Sequence, residues 1–423
     1  MPAKLYNYIE GEEEVPISTN FTPTRESFRK VLLAPGNPWI FRSSAALNGL
    51  LATTLIAMLV ARSPCVHASE GEADHPMPPS GSAVDPRNFS ADRWLPGYHF
   101  VPYPFDWQND PNGPMYDPVH EVYHLFYQYR TPRIWGHAIS YDLVDWIQLP
   151  PALYLEEWYD SGGDYSGSAT VLNDPDRSVV LSVSSSTEEM FLAMPSNRSD
   201  PFLVNWTYVG GGPIVSTAAR DPTELLYTED GNYQMFIGTF NGTEVWQCDN
   251  FTFKSNPPSA SGKWYLRGLA QPSEHDYYWE CPDIFELPIA TNDKKNDRTI
   301  WISKYSRDSV GDYYQLGTYD SQNAIFTPRG EEWKMYDENI FFYASKSFDD
   351  SRLDRRILWG WLHMIPGWPH DDDAHNFDRD EDDRAAAETD DWWNFWEQDG
   401  QWQNAQGVPR IIEVKFCPLN LCA

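Results

Sequence analysis

The chain has 423 residues, 41% hydrophobic and 22% charged, enough for a sizeable core and incompatible with wholesale disorder. A formal net charge of −31 repels phosphate backbones and argues against nucleic acid as a partner. The 34 prolines and 26 glycines are spread without a period, which favours short strands and tight turns over long helices.

Residues 1–43 are polar and proline-containing and predict a disordered, cytoplasmic tail. The long apolar run 44–61, SAALNGLLATTLIAMLVA, is just long enough to cross a bilayer. It lies too far from Met1 for an ordinary signal peptide. Arg25, Arg29, Lys30 and Arg42 precede it, a basic bias that predicts a single membrane-anchor helix with its N-terminal side in the cytoplasm. A buried core helix is the alternative. Residues 62–91 read as a lumenal linker. Asn-x-Ser/Thr sequons at Asn88, Asn197, Asn205, Asn241 and Asn250 follow the run and fit a secretory-pathway protein, membrane-held or released to a vacuole lumen or the cell exterior. Asn20, in a sixth sequon, precedes it.

From about residue 92 to 415 the texture is all-β. Aromatic and β-branched runs such as VYHLFYQY, SVVLSVS, YQMFIGTF, TIWISKY and RRILWGWL alternate with turn clusters such as NDPNGP and EDGN. Strand and turn alone leave a sandwich, a barrel or a propeller open. Residues 369–391 are strongly acidic and predict a solvated loop, and 416–423 a short tail. Trp392, Trp393, Trp396 and Trp402 predict packing at a domain edge. The five cysteines, Cys65, Cys248, Cys281, Cys417 and Cys422, contain no C-x-x-C pair, which excludes a zinc ribbon or thioredoxin-type site. Cys417 and Cys422 either close a small loop or stay unpaired.

Three carboxylates stand in unusual settings. Asp110 lies in Trp107-Gln108-Asn109-Asp110-Pro111-Asn112-Gly113, a turn able to hold an acid rigidly at a strand end. Asp221 lies in Arg220-Asp221-Pro222, where the arginine favours the ionised carboxylate. Glu280 lies in Tyr277-Tyr278-Trp279-Glu280-Cys281-Pro282-Asp283, where aromatic neighbours desolvate the acid, as a general acid requires. Each motif alone is most simply structural. Glycoside cleavage needs such a set: a carboxylate on one face of the anomeric carbon and a proton donor beside the leaving oxygen.

Together and in this order the motifs resemble glycoside hydrolase family 32, the invertases and fructan-active enzymes. WQNDPNG looks like that family's Trp-Met-Asn-Asp-Pro-Asn-Gly signature, with Gln108 at the Met position. Tyr165-Ser166-Gly167-Ser168-Ala169-Thr170 is similar to its Trp-Ser-Gly-Ser-Ala-Thr element, with RDPT and ECPD as the other two signatures. FYQY (126–129), residues 135–150, RRILWGW (355–361) and GVPR (407–410) also look like family segments.

The resemblance implies a five-bladed β-propeller over 92–415. It implies Asp110 as nucleophile, Glu280 as acid/base and Asp221 as transition-state stabiliser. Asn109, Gln128, Trp135, Ser166 and Arg220 would line the sugar site. The implied reaction is β-fructofuranosidase hydrolysis of sucrose or a related fructoside, with retention, a small sugar as partner and no metal or organic cofactor. Fructosyl transfer by the same acids, and a silent sugar-binding homologue, are the alternatives. The chain ends soon after GVPR, so the β-sandwich that follows in most members is expected to be lacking. Val-Leu-Ser-Val-Ser (180–184) and Tyr165 depart from the family pattern near the substrate rather than at the three acids. Pro282 is similar to cell-wall members, whereas the anchor looks like the vacuolar type.

Overall fold

The computed structural model describes residues 5–9, 13–18 and 99–415, the last span without 103–106, 131, 274–276, 291–297, 308–310, 336–341 and 363–404. The apolar run 44–61, the linker, Asn20, Asn88, the acidic stretch 369–391, the tryptophan cluster and Cys65, Cys417 and Cys422 lie outside these residues.

Every regular element among the described residues is a β-strand. The first sheet runs Gln108–Asp117, Val122–Tyr129, Ile134–Ser140 and Trp146–Leu153, each strand antiparallel to the next. VYHLFYQY is buried along its whole length. A strand buried along its whole length, His124 and Gln128 included, belongs inside a sheet covered on both faces. The hairpin before it closes through Asp117, whose Oδ1 accepts from Val119 N at 2.9 Å. Asp-Pro turn chemistry therefore sets its register.

The second sheet holds Asp164–Val171, Val179–Ser185, Glu189–Pro195 and Trp206–Val209, and the third holds Leu226–Tyr227, Tyr233–Thr239, Gly242–Cys248 and Tyr265–Pro272. A fourth antiparallel group is Trp279–Ala290, Thr299–Arg307, Gly311–Asp320 and Ile325–Pro328. A fifth pairs Phe342–Asp350 with Arg355–Leu362, and the latter with Arg410–Lys415. Arg410–Lys415 also runs parallel to the end of Trp279–Ala290, joining these two groups into one sheet.

The core lies between successive groups. Met115 and Phe126 of the first pack on Leu181 and Phe191 of the second. Met190 and Leu192 of the second meet Met235 and Ile237 of the third. Phe236 and Val245 of the third meet Ile284 of the fourth. Phe285 and Ile302 of the fourth meet Phe342 and Leu358 of the fifth. Phe348 and Ile357 of the fifth then return to Tyr123 and Leu125 of the first. Five apolar seams thus close the succession on itself.

The stretch expected as a disordered tail holds two described strands. Leu5–Ile9 and Glu13–Ser18 form an antiparallel hairpin whose second strand pairs with Arg410–Lys415. Leu5, Tyr6, Tyr8 and Ile9 are strand formers, and Arg410–Lys415 offers an edge. No helix among the described residues is long and apolar enough to cross a membrane.

Candidate active site

The first strand of each group begins at the same end of the closed succession, and these beginnings bring the expected residues together. Asp110 opens Gln108–Asp117, Ser166 opens Asp164–Val171, Glu280 opens Trp279–Ala290 and Tyr343 opens Phe342–Asp350. Asp221 sits just before Leu226–Tyr227, on a segment anchored by the bridge between Arg220 and Gly238.

Cys281 links two of the acids. Its Sγ lies 3.6 Å from Asp110 Oδ2 and 3.6 Å from Asp221 Oδ2. Its backbone N–H donates to Asp221 Oδ2 at 2.9 Å. Asp110 Oδ2 also accepts from Ser166 Oγ at 2.5 Å, and Gln128 Nε2 donates to that hydroxyl at 2.7 Å. Ser184 Oγ accepts from Asp221 N at 3.1 Å and donates to Ser166 O at 2.7 Å. Glu280 is held on both oxygens, Oε1 by Arg220 Nη2 and Oε2 by the Tyr343 hydroxyl. Arg220 Nε stands 4.0 Å from Asp221 Oδ2, so one guanidinium serves two of the three acids. Its carbon lies 4.4 Å from the Tyr278 ring centroid, a cation–π contact that fixes its height over the site.

This crowding has an electrostatic consequence. Burial and the neighbouring Asp221 carboxylate push Asp110 up to about 6, against the downward pull of Ser166, Arg133 and Cys281. The backbone is distorted at the same place. Asp221 has φ 63° and Cys281 φ 45°, left-handed values that residues other than glycine seldom adopt. Gly238 allows the approach from the third sheet, because a Cβ there would stand 2.0 Å from Trp279 O.

Two buried lysines support the acids from below. Lys346 Nζ donates to Pro282 O at 3.1 Å and to Asp221 O at 3.3 Å, tying two acid-bearing turns to one ammonium. Lys304 Nζ donates to Cys281 O at 3.1 Å and lies 3.6 Å from Asp312. A cavity of about 720 Å³ lies at the other ends of the same strands, lined by Tyr116, Thr170, Glu224, Asp283 and Phe348. None of the three acids lines it. Among the described residues no group of three or more His, Cys, Asp or Glu is placed to hold a metal ion.

A family model for the glycosyl hydrolases family 32 N-terminal domain matches residues 99–416. The chain belongs to glycosyl hydrolase family 32. Similar relatives include an acid beta-fructofuranosidase of Phaseolus vulgaris, 35% identical over 305 residues, covering 63% of this chain and 44% of that protein. An insoluble beta-fructofuranosidase isoenzyme of Arabidopsis thaliana is 34% identical over 317 residues, covering 66% of this chain and 52% of that protein. The chain spans about half the length of these curated relatives. Among solved structures, fructan 1-exohydrolase IIa of Cichorium intybus is similar at 29% identity and a TM-score of 0.57, covering 77% of this chain and 61% of that one.

Within this family 32 chain, the remaining expected residues fall as follows. Asn109 accepts on its backbone oxygen from Gln406 Nε2 at 2.6 Å, and its buried Oδ1 meets no donor among the described residues. Trp135 is fully buried and donates from Nε1 to Tyr165 O at 2.9 Å, so it braces the strand that bears Ser166 rather than facing solvent. Tyr343, Cys281, Ser184, Gln406, Lys346 and Arg133 were not expected from sequence. A lysine inside the otherwise buried run Phe342–Phe348 was a readable signal, since an ammonium there must have a polar partner.

Proposed function

We propose that the chain is a retaining β-fructofuranosidase that cleaves sucrose or a related fructoside. The observation carrying this reading is the meeting of Asp110 and Glu280, from two strands of different sheets, with Asp221, from the segment before Leu226–Tyr227, around Cys281 and Arg220. In the first step a carboxylate oxygen of Asp110 attacks the fructosyl anomeric carbon as its bond to the glycosidic oxygen breaks. Glu280 gives that oxygen its proton, and the fructosyl group is left esterified to Asp110. In the second step Glu280 takes a proton from water, whose oxygen attacks the same carbon and frees Asp110. Asp221 holds fructose hydroxyls through the charged transition state, with the Arg220 guanidinium beside it. Gln128 and Ser166 fix the rotamer of Asp110. Relatives bearing beta-fructofuranosidase names support the substrate class.

We further infer that the closed succession of sheets is a five-bladed β-propeller with the acids at one mouth, which the five apolar seams support. Asn197, Asn205, Asn241 and Asn250 are all exposed, as glycan acceptors must be, and this supports passage through the secretory pathway. A bilayer-spanning 44–61 would separate the hairpin Leu5–Ser18 from Arg410–Lys415. The anchored form and the paired form therefore exclude each other in one molecule.

The test is sucrose cleavage by the full chain beside Asp110→Ala, Asp221→Ala and Glu280→Ala. Each variant is expected to lose about a thousandfold or more in kcat. Turnover of Asp110→Ala equal to the parent would reject the mechanism.

A further inference from the structure

Arg133 ends the short link between Val122–Tyr129 and Ile134–Ser140. Its guanidinium carbon stands 4.8 Å from the Tyr165 ring centroid and 5.3 Å from that of Trp107. Both ring-bearing residues adjoin site residues along the chain. Tyr165 precedes Ser166, the hydroxyl bonded to Asp110, and Trp107 lies on the approach to Asp110 itself. The link is tethered as well, since Arg133 O accepts from Asp164 N at 2.8 Å. Arg133 Nε is buried, and its N–H finds no acceptor among the described residues. A guanidinium held by ring faces and backbone keeps its field in a fixed direction, instead of losing it to a mobile surface partner.

Of the groups that act on Asp110, burial and the Asp221 carboxylate push it up, while the Ser166 hydroxyl, the charge of Arg133 and Cys281 pull it down. The site's other arginine, Arg220, is engaged by Glu280 and shared with Asp221. A nucleophile must be ionised to attack, and both its burial and Asp221 work against that. We propose that Arg133 is an electrostatic positioning residue of this centre: clamped between Trp107 and Tyr165, it supplies the positive charge that lets Asp110 ionise beside Asp221. The proposal rests on the reading of Asp110 as the nucleophile. Arg133 forms no bond to the sugar in this scheme and acts through Asp110 alone.

The sign follows directly. Removing the charge of Arg133 makes Asp110 harder to ionise, so the acid limb of kcat/KM moves to higher pH. The experiment is the pH profile of sucrose cleavage by the full chain as parent, Arg133→Gln and Arg133→Lys. Arg133→Gln is expected to shift the acid limb upward by about 0.5–1 pH unit. Arg133→Lys is expected to return most of the shift, because it restores the charge without the flat fork. Arg133→Met keeps the aliphatic stem between the rings and carries the same test should Arg133→Gln lose its fold. A limb that stays at the parent pH in a folded, uncharged variant overturns the proposal, even if overall activity drops, because a purely structural residue would scale the profile without moving it. Asp110→Asn is run alongside. If it turns over sucrose like the parent, the nucleophile reading has failed. If it is inactive and the Arg133→Gln limb has not moved, only the role of Arg133 has failed.

Discussion

Cys281 and Lys346 do at the residue scale what the three acids need done. The thiol and N–H of Cys281 reach Asp221 while its Sγ also touches Asp110, so a single residue sets the spacing of two carboxylates. Lys346 fixes the backbone that carries them. Replacing it, Lys346→Met, leaves the carbonyls of Asp221 and Pro282 without that donor, at about 1–3 kcal/mol of stability. The resulting shift of Asp221 is expected to lower kcat about 10–100-fold with a smaller change in KM. Denaturant midpoints and steady-state kinetics check the two effects separately. In the proposed mechanism Asp110, pushed up to about 6, is the nucleophile and must be ionised to attack, so its protonation would limit the reaction on the acid side. The parent kcat/KM is therefore expected to fall as pH drops through about 6. A flat profile from pH 7 to pH 4 would remove Asp110 from that step.

The first hairpin shows how elements were made to fit. Asp117 terminates Gln108–Asp117 and is fully buried, and Arg198 donates to both its oxygens, at 2.6 and 2.7 Å. Burial alone would raise this carboxyl, but hydrogen bonds from His120 and Arg198 and the charge of Arg198 hold it well below the usual carboxylate range. A carboxyl whose folded value is depressed contributes stability that is whole above its unfolded value, near about 4, and lost as pH falls below it. Asp117→Asn is expected to cost about 1–3 kcal/mol at pH 7, because it leaves the half-buried Arg198 without its carboxylate while its bonds to Arg177 O remain, and less at pH 3. Urea melts at the two pH values measure this. The irregular strand that carries Asp110 has its own requirement. Gly113 has φ 47°, and a Cβ there would lie 2.8 Å from Ala169 N in the next sheet.

Strand texture was legible along the sequence because period and composition are local properties. VYHLFYQY, YQMFIGTF and RRILWGWL are all strands or parts of strands. The motifs bearing Asp110, Asp221 and Glu280 were legible for the same reason, although Asp-Pro-Asn-Gly, expected as a turn, lies within the irregular strand Gln108–Asp117. Tyr343, Ser184, Gln406 and Arg133 were not, because each reaches the site from another sheet or link, and nothing in a short window encodes that convergence. The strands Leu5–Ile9 and Glu13–Ser18 were not legible, because polar, acidic surroundings outweigh the strand formers Leu5, Tyr6, Tyr8, Ile9, Val15 and Ile17.

Over the whole molecule, the five apolar seams and the single end at which the acids gather belong together. A closed ring gives every leading strand the same orientation, so residues far apart in sequence arrive at one mouth without any long excursion. Passage through the secretory pathway predicts glycans on Asn197, Asn205, Asn241 and Asn250. Peptide mapping after endoglycosidase treatment of protein from a eukaryotic host is expected to show them occupied, and bare asparagines at all four would place synthesis in the cytosol.

The central claim is that Asp110 carries the fructosyl group between bond cleavage and hydrolysis. Its direct test is peptide mapping by mass spectrometry of enzyme acid-quenched during sucrose turnover. The account predicts a hexosyl adduct on the peptide containing Asp110, absent from Asp110→Asn. An adduct on Asp221 or Glu280 instead, or the same adduct surviving in Asp110→Asn, would contradict it.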